Sequence, residues 1–111
     1  MGFDVGVSKS GRYSIVGVAG EVDAVTAPVM LDHIITLVDE GEHQIVVDLG
    51  AVEFLDSSAL NALVSARNQV IANNGELSLV CARPMTLKLF EITGLDAVFS
   101  IHASLDAATP A

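Results

Sequence analysis

Apolar residues along this chain change period several times, and each change marks a new element. "FDVGV" (Phe3 to Val7) and "YSIVGVAG" (Tyr13 to Gly20) are apolar runs of strand length. The intervening "SKSGR", with its serines and Gly11, predicts a hairpin turn. From Thr26 the period lengthens. Leu31, Ile34, Ile35 and Val38 recur at i, i+3, i+4 and i+7, the stripe of an amphipathic helix. Thr26 is placed to cap that helix, Pro28 falls in its first turn, and Gly41 ends it. "QIVVDLG" (Gln44 to Gly50) is short, β-branched and almost wholly apolar, which predicts a strand covered on both faces.

After Asp56-Ser57-Ser58, the residues Leu60, Leu63, Val64, Val70 and Ile71 define a second helix, closed by "NNG" (Asn73 to Gly75). "ELSLVCA" is another strand. Arg83-Pro84 opens a third helix carrying Leu87, Leu89, Phe90 and Ile92 and stopped at Gly94. "AVFSI" reads as a last short strand and "SLDAA" as a final helical turn. The order β-β-α-β-α-β-α-β-α predicts one α/β domain over residues 1–111. It has an N-terminal β-hairpin, then alternating strands and helices, in a mixed central sheet with packed helices.

Composition narrows the function classes. The 111 residues suit a single domain. Mean hydropathy is high, at +0.57, yet the longest apolar stretches are strand-sized and fall short of the ~18 to 20 residues of a membrane span. No membrane association is expected. "MGFDVGVSKSGRYSI" lacks the basic start and apolar block of a signal peptide, and Gly6 stands where a myristoylation signal has Ser or Thr. A cytoplasmic location is the expectation. Net charge is −9, and the five cations Lys9, Arg12, Arg67, Arg83 and Lys88 are scattered. They form no basic stripe for a nucleic-acid backbone, and an acidic surface favours a basic protein partner. Cys81 is alone, so no internal disulfide forms, and "LSLVCAR" makes it a small core residue.

The candidate chemistry lies at the Asp-Ser-Ser step, where a strand leads into a helix N-terminus. A serine oxygen there can cap the helix, contributing ~1 kcal/mol. It can equally serve as a phosphoacceptor, since a phosphate brings about −1.5 to −2 charges to a place where the helix dipole tolerates them. A hydrolase with Ser58 as nucleophile is disfavoured, because His33, His43 and His102 are scattered and no G-x-S-x-G elbow is present. The same scatter argues against a metal site. A phospho-aspartate receiver centred on Asp56 lacks the acidic pair after the first strand, where only Asp4 stands. Its lysine is missing too, since Lys9 and Lys88 belong to the wrong elements. Asp48 reads as a strand-end or edge carboxylate with backbone partners, Glu53 and Glu91 as solvated, and Met30 and Met85 as core or edge fillers. No nucleotide-phosphate signature occurs, so no cofactor is expected and ATP chemistry must come from a partner.

Four stretches carry a family resemblance: "GEVDAVTAP" (Gly20 to Pro28), "VVDLGAVEFLDSSALNALV" (Val46 to Val64), "GELSLVCA" (Gly75 to Ala82) and "TGLDAVFSIHASLDAA" (Thr93 to Ala108). In order and spacing they resemble the STAS domain, and within it the single-domain anti-sigma factor antagonists of bacteria. The resemblance implies the STAS fold and a partner switch. The unphosphorylated antagonist binds an anti-sigma factor of the histidine-kinase-like serine kinase type and so frees the sigma factor. That kinase then phosphorylates the antagonist, and a metal-dependent serine phosphatase restores it. Carried onto this sequence, the acceptor is Ser58, with Asp56 and Ser57 shaping its loop and Asp23 a neighbouring acidic contact. Asn61 and Ser65, one and two turns further on the same side, are expected partner contacts. Family members usually have glycine where this chain has Ala59, and the extra methyl is expected where a kinase approaches. STAS domains also serve as docking subunits of stress-signalling complexes and of lipid-transport ATPases, an alternative without a sigma factor.

Overall fold

The computed structural model describes residues 2–110; Met1 and Ala111, the ends of the expected domain, lie outside them. The described chain runs β1 (Phe3–Ser10), β2 (Tyr13–Val22), α1 (Ala27–Asp39), β3 (Gln44–Leu55) and α2 (Ser57–Ala72). It continues through β4 (Glu76–Val80), α3 (Pro84–Ile92), a 3-10 turn (Leu95–Ala97), β5 (Ser100–His102) and α4 (Leu105–Ala108). The strands form one sheet in chain order, β1 antiparallel to β2 and each later pair parallel. This is the mixed α/β sheet that the periodicity predicts.

The helices α1 and α2 pack side by side on one face of the sheet. Between them and the strands lies the main core, with Val16, Val18, Met30, Ile34, Ile45, Val47, Leu63 and Leu79 fully buried. Phe90 and Phe99 close it beneath α3 with their rings edge to face, centroids 6.0 Å apart. The opposite face is covered only over a small cluster of Tyr13, Ile15, Val46, Val80 and Ala108. Two-sided burial of β3 therefore ends near its middle. The half-buried Asp48 and exposed Ala51 continue that face toward solvent.

Several local expectations are corrected. The β3 strand runs five residues past Gly50 because two bulges each add a residue opposite β2. One lies between Gly17↔Asp48 and Ala19↔Ala51, the other between Gly20↔Val52 and Glu21↔Phe54. At the first, Asp48 Oδ1 accepts the Gly50 N–H at 2.9 Å, so this carboxylate serves the backbone inside the strand and not at its end. The last strand starts at Ser100, later than "AVFSI" suggests, because Gly94 (φ 74°) leads into the 3-10 turn and consumes Ala97. On α1 the buried stripe is Ala27, Met30, Ile34, Leu37 and Val38, leaving Leu31 and Ile35 half-buried at its margins. On α2 the alanines 59, 62 and 66 share the core, while Ile71 faces solvent. Met85 is also no core filler; it is 87% exposed.

Gly20 closes the β1–β2 ribbon at the end nearest the Asp-Ser-Ser step. Its φ is +88°, and a Cβ there would stand 1.9 Å from the Gly2 carbonyl oxygen. The same carbonyl accepts the Glu21 N–H at 2.9 Å, so the approach is part of the ladder's end.

Candidate functional site

Because β4 pairing stops at Asp48↔Val80, the segment of β3 from residue 49 to 55 extends beside β2 alone and carries the Asp-Ser-Ser step at its tip. Asp56 is the N-cap of α2. Its Oδ1 accepts the N–H groups of Ser58 at 2.9 Å and Ala59 at 3.2 Å, and its own N–H donates to Val22 O at 3.2 Å. The cap comes from the carboxylate, and neither serine hydroxyl supplies it. Ser57 is exposed and Ser58 half-buried. Two of the first-turn amides, those of Ser58 and Ala59, are already taken by the Asp56 carboxylate. No lysine or arginine stands anywhere between Arg12 and Arg67 in the chain. A phosphate on Ser58 would add charge beside the Asp56 carboxylate.

The Asp56–Val22 hydrogen bond joins this step to the turn that opens α1. In that turn Asp23 Oδ1 accepts from Val25 N (2.9 Å) and Thr26 N (3.1 Å), while Thr26 Oγ1 accepts from Asp23 N at 2.9 Å. The Thr26 hydroxyl donates to Glu21 O at 3.0 Å, turning back into the loop; it does not cap the helix it precedes, contrary to expectation. The backbone N–H of Thr26, then that of Val25, holds the Asp23 carboxyl below its ordinary pKa. Asp23 thus organises the turn beside the step.

Ala59 is 1% exposed and belongs to the main core. Its methyl is buried among core residues and is not presented at the surface of the step, which corrects its expected position. Asn61 and Ser65 are both exposed, on the side of α2 that Ser58 begins. The structure also brings apolar residues to this surface that the sequence pattern did not single out. Phe54, two residues before Asp56, is 52% exposed, and Val25 in the Asp23 turn is 79% exposed, with Val29 one turn on also outward. The only signal for Phe54 was its place in "FLDSSAL"; period-2 counting fails there because of the bulge.

The three histidines stay apart. His43 precedes β3 at the end opposite Ser58, His33 Nδ1 meets Val29 O on α1, and His102 lies in β5. Among the described residues, no group of three His, Cys, Asp or Glu side chains could hold a metal ion. No helix among them is long and apolar enough to cross a membrane.

The STAS domain family model matches residues 5–108. This chain belongs to the STAS domain family. It is 30% identical to the anti-sigma-B factor antagonist of Bacillus subtilis over 93% of this chain and 94% of that protein. The crystal structure of an anti-sigma factor antagonist from Mycobacterium paratuberculosis superposes with a TM-score of 0.88 at 34% identity, covering 96% of this chain and 91% of that one. The Bacillus cell-fate determinant SpoIIAA, in its phosphorylated form, shares the fold with a TM-score of 0.72 at 19% identity, over 94% and 96% of the two chains. In this STAS domain the Asp23 turn, the tip of β3 and the start of α2 form one continuous surface, held together through Val22 and Asp56.

Proposed function

We propose that this STAS domain is an anti-sigma factor antagonist whose binding surface is switched by phosphorylation of Ser58. The observation that carries the reading is the freedom of the Ser58 side chain. Asp56 caps the helix, so the hydroxyl sits half-buried at the helix start with no capping duty, while Phe54 at the tip of β3 and Val25 and Val29 around the start of α1 are exposed. The names of the curated relative and of the mycobacterial structure support the antagonist role. SpoIIAA, which shares the fold, exists in a phosphorylated form.

In this proposal the partner is an anti-sigma factor of the histidine-kinase-like serine kinase type, which covers the apolar residues and reaches Asn61 and Ser65. Transfer of the ATP γ-phosphoryl group to Ser58 Oγ then places about −1.5 to −2 charges beside Asp56, inside the contact. A loss of ~2.8 kcal/mol from repulsion and desolvation already weakens binding a hundredfold. A metal-dependent serine phosphatase resets the surface. The fold survives the cycle because the cap is the Asp56 carboxylate.

The test is intact mass after incubation with such kinases and ATP, comparing wild type with Ser58→Ala and Ser57→Ala. One phosphate, absent only from Ser58→Ala, is the expected result. Binding of the unmodified chain to the same kinase should fall at least tenfold in Phe54→Ser, with the melting temperature little changed. No phosphate with any kinase would overturn the switch and leave a constitutive docking domain.

A further inference from the structure

A cleft of about 700 Å³ lies at the end of the sheet opposite Ser58, a size usual for small-molecule sites. It exists because β5 starts late. Ser100 pairs with Ser78, so Glu76 and Leu77 at the start of β4 have a strand neighbour on the β3 side alone. Arg67 and Ile71 of α2 border this free edge on the main-core face of the sheet, and Ala107, Ala108 and Pro110 border it on the open face.

The register gathers polar side chains on the open face. Gln44 stands opposite Glu76 and Ser78 opposite Ser100, with His102 two residues further along β5, so all five share that face and line the cleft. None of these five side chains, nor that of Arg67, makes a hydrogen bond or ion pair within the described chain. Arg12 joins them from the β1–β2 turn. Its Nη2 donates to the Tyr13 hydroxyl at 2.8 Å, that hydroxyl donates to Pro110 O at 3.2 Å, and the guanidinium lies 4.9 Å from the Tyr13 ring centroid. These contacts fix Arg12 at the cleft and leave its other N–H groups unpaired. Two of the five cations of a chain with net charge −9 thus line one cleft.

The unpaired groups define what fits. A guanidinium calls for an acid group, and it forks carboxylate and phosphate alike. The Glu76 carboxylate only accepts hydrogen bonds, whereas Gln44, Ser78, Ser100 and His102 both donate and accept, a set that matches hydroxyl groups. A bare anion leaves Glu76 unmatched. A nucleobase finds no stacking surface, because the Tyr13 ring is buried and Arg12 covers it. We infer that this cleft binds a small polyol bearing one acid group, a sugar phosphate or a sugar acid. Arg12, fixed on the same face as the hydroxyl-binding set, holds the acid group. Arg67 adds positive potential from beyond the free edge of β4. None of the residues assigned to the Ser58 surface takes part, so this inference and the phosphorylation switch fail separately.

Titration of the isotope-labelled full chain with glucose-6-phosphate, glucuronate, glucose and inorganic phosphate, followed by amide NMR shifts, tests it. At least one of the two sugar acids should give saturable shifts at the cleft residues, and the tighter of them identifies the acid group. Glucose and inorganic phosphate should each bind at least tenfold more weakly. Arg12→Gln should weaken the sugar acid at least tenfold and leave glucose unchanged, whereas Ser100→Ala should weaken both. Lys88→Gln, which removes a cation outside the cleft, should change neither. Unchanged melting temperatures would confirm that the variants fold. Absence of shifts with both sugar acids overturns the inference. Inorganic phosphate binding as tightly as glucose-6-phosphate overturns the polyol assignment, and equal losses in Arg12→Gln and Lys88→Gln overturn the site.

Discussion

Asp56 Oδ1 holds the amide N–H of Ser58 at 2.9 Å, so the carboxylate of one residue frees the hydroxyl of the other. In an Asp-Ser-Ser step either residue type can close the helix start. Here the division is complete: Asp56 is the cap, and the serines are left on the surface.

Stability measurements separate these roles. Asp56→Ala should lower unfolding free energy by about 1 kcal/mol, the ordinary worth of an N-cap, whereas Ser58→Ala should change it by less than about 0.5 kcal/mol. Urea denaturation of both variants is sufficient. Equal losses in the two would mean that the Ser58 hydroxyl caps the helix after all.

Ala59→Gly tests where the methyl points. It removes a buried methyl and adds backbone freedom near a helix start, so a loss of about 1 to 2 kcal/mol is expected. The rate of Ser58 phosphorylation should be unchanged, because the methyl lies in the core and not at the surface. A faster rate in the glycine variant, at matched folded fraction, would show that Ala59 does impede the kinase.

Gly20→Ala should be among the most damaging small substitutions. Alanine at φ +88° is strained, and its Cβ would meet the Gly2 carbonyl at 1.9 Å. Displacing that carbonyl breaks its hydrogen bond from Glu21, for a total of roughly 2 to 4 kcal/mol. The turn carrying Asp23 and Val25 directly follows, so partner binding should fall as well. A melting temperature within a degree of wild type would refute this account.

Two carboxylates contribute to the acid limb of stability. Asp23 is held low by the amides of Thr26 and Val25. Glu42 is held low by its ion pair with Lys9 and by the Ser14 hydroxyl, which donates to it at 2.7 Å. Both are more acidic folded than unfolded. Their stabilisation is therefore complete above about pH 4 to 5 and is lost as pH falls through the lower folded values. Asp23→Asn and Glu42→Gln should each flatten the fall of melting temperature on the acid side while lowering the plateau. An unchanged acid slope in the double variant would contradict this assignment.

Much of this was legible in the chain because it is local. Periodicity, Pro28, Gly41 and Gly94 mark elements through backbone preferences that neighbouring residues enforce. Element existence and order followed from them, and so did the place of the Asp-Ser-Ser step at a helix start. The misplacements have long-range causes. The two bulges in β3 depend on β2 across the sheet, so a period-2 count along β3 ends its strand too early and leaves Phe54 unplaced. The Thr26 exception alone is local: its hydroxyl donates to Glu21 O, five residues back, and so leaves the helix start.

By itself, then, the sequence determined the element order, the α/β class and the resemblance that points to Ser58, since each rests on residues close together in the chain. Only the tertiary structure decided which atoms serve the fold and which remain free for a partner. Burial of the Ala59 methyl and exposure of Phe54, Val25 and Met85 all depend on what packs against each side chain. That is set by residues far away along the chain, and no local pattern encodes it.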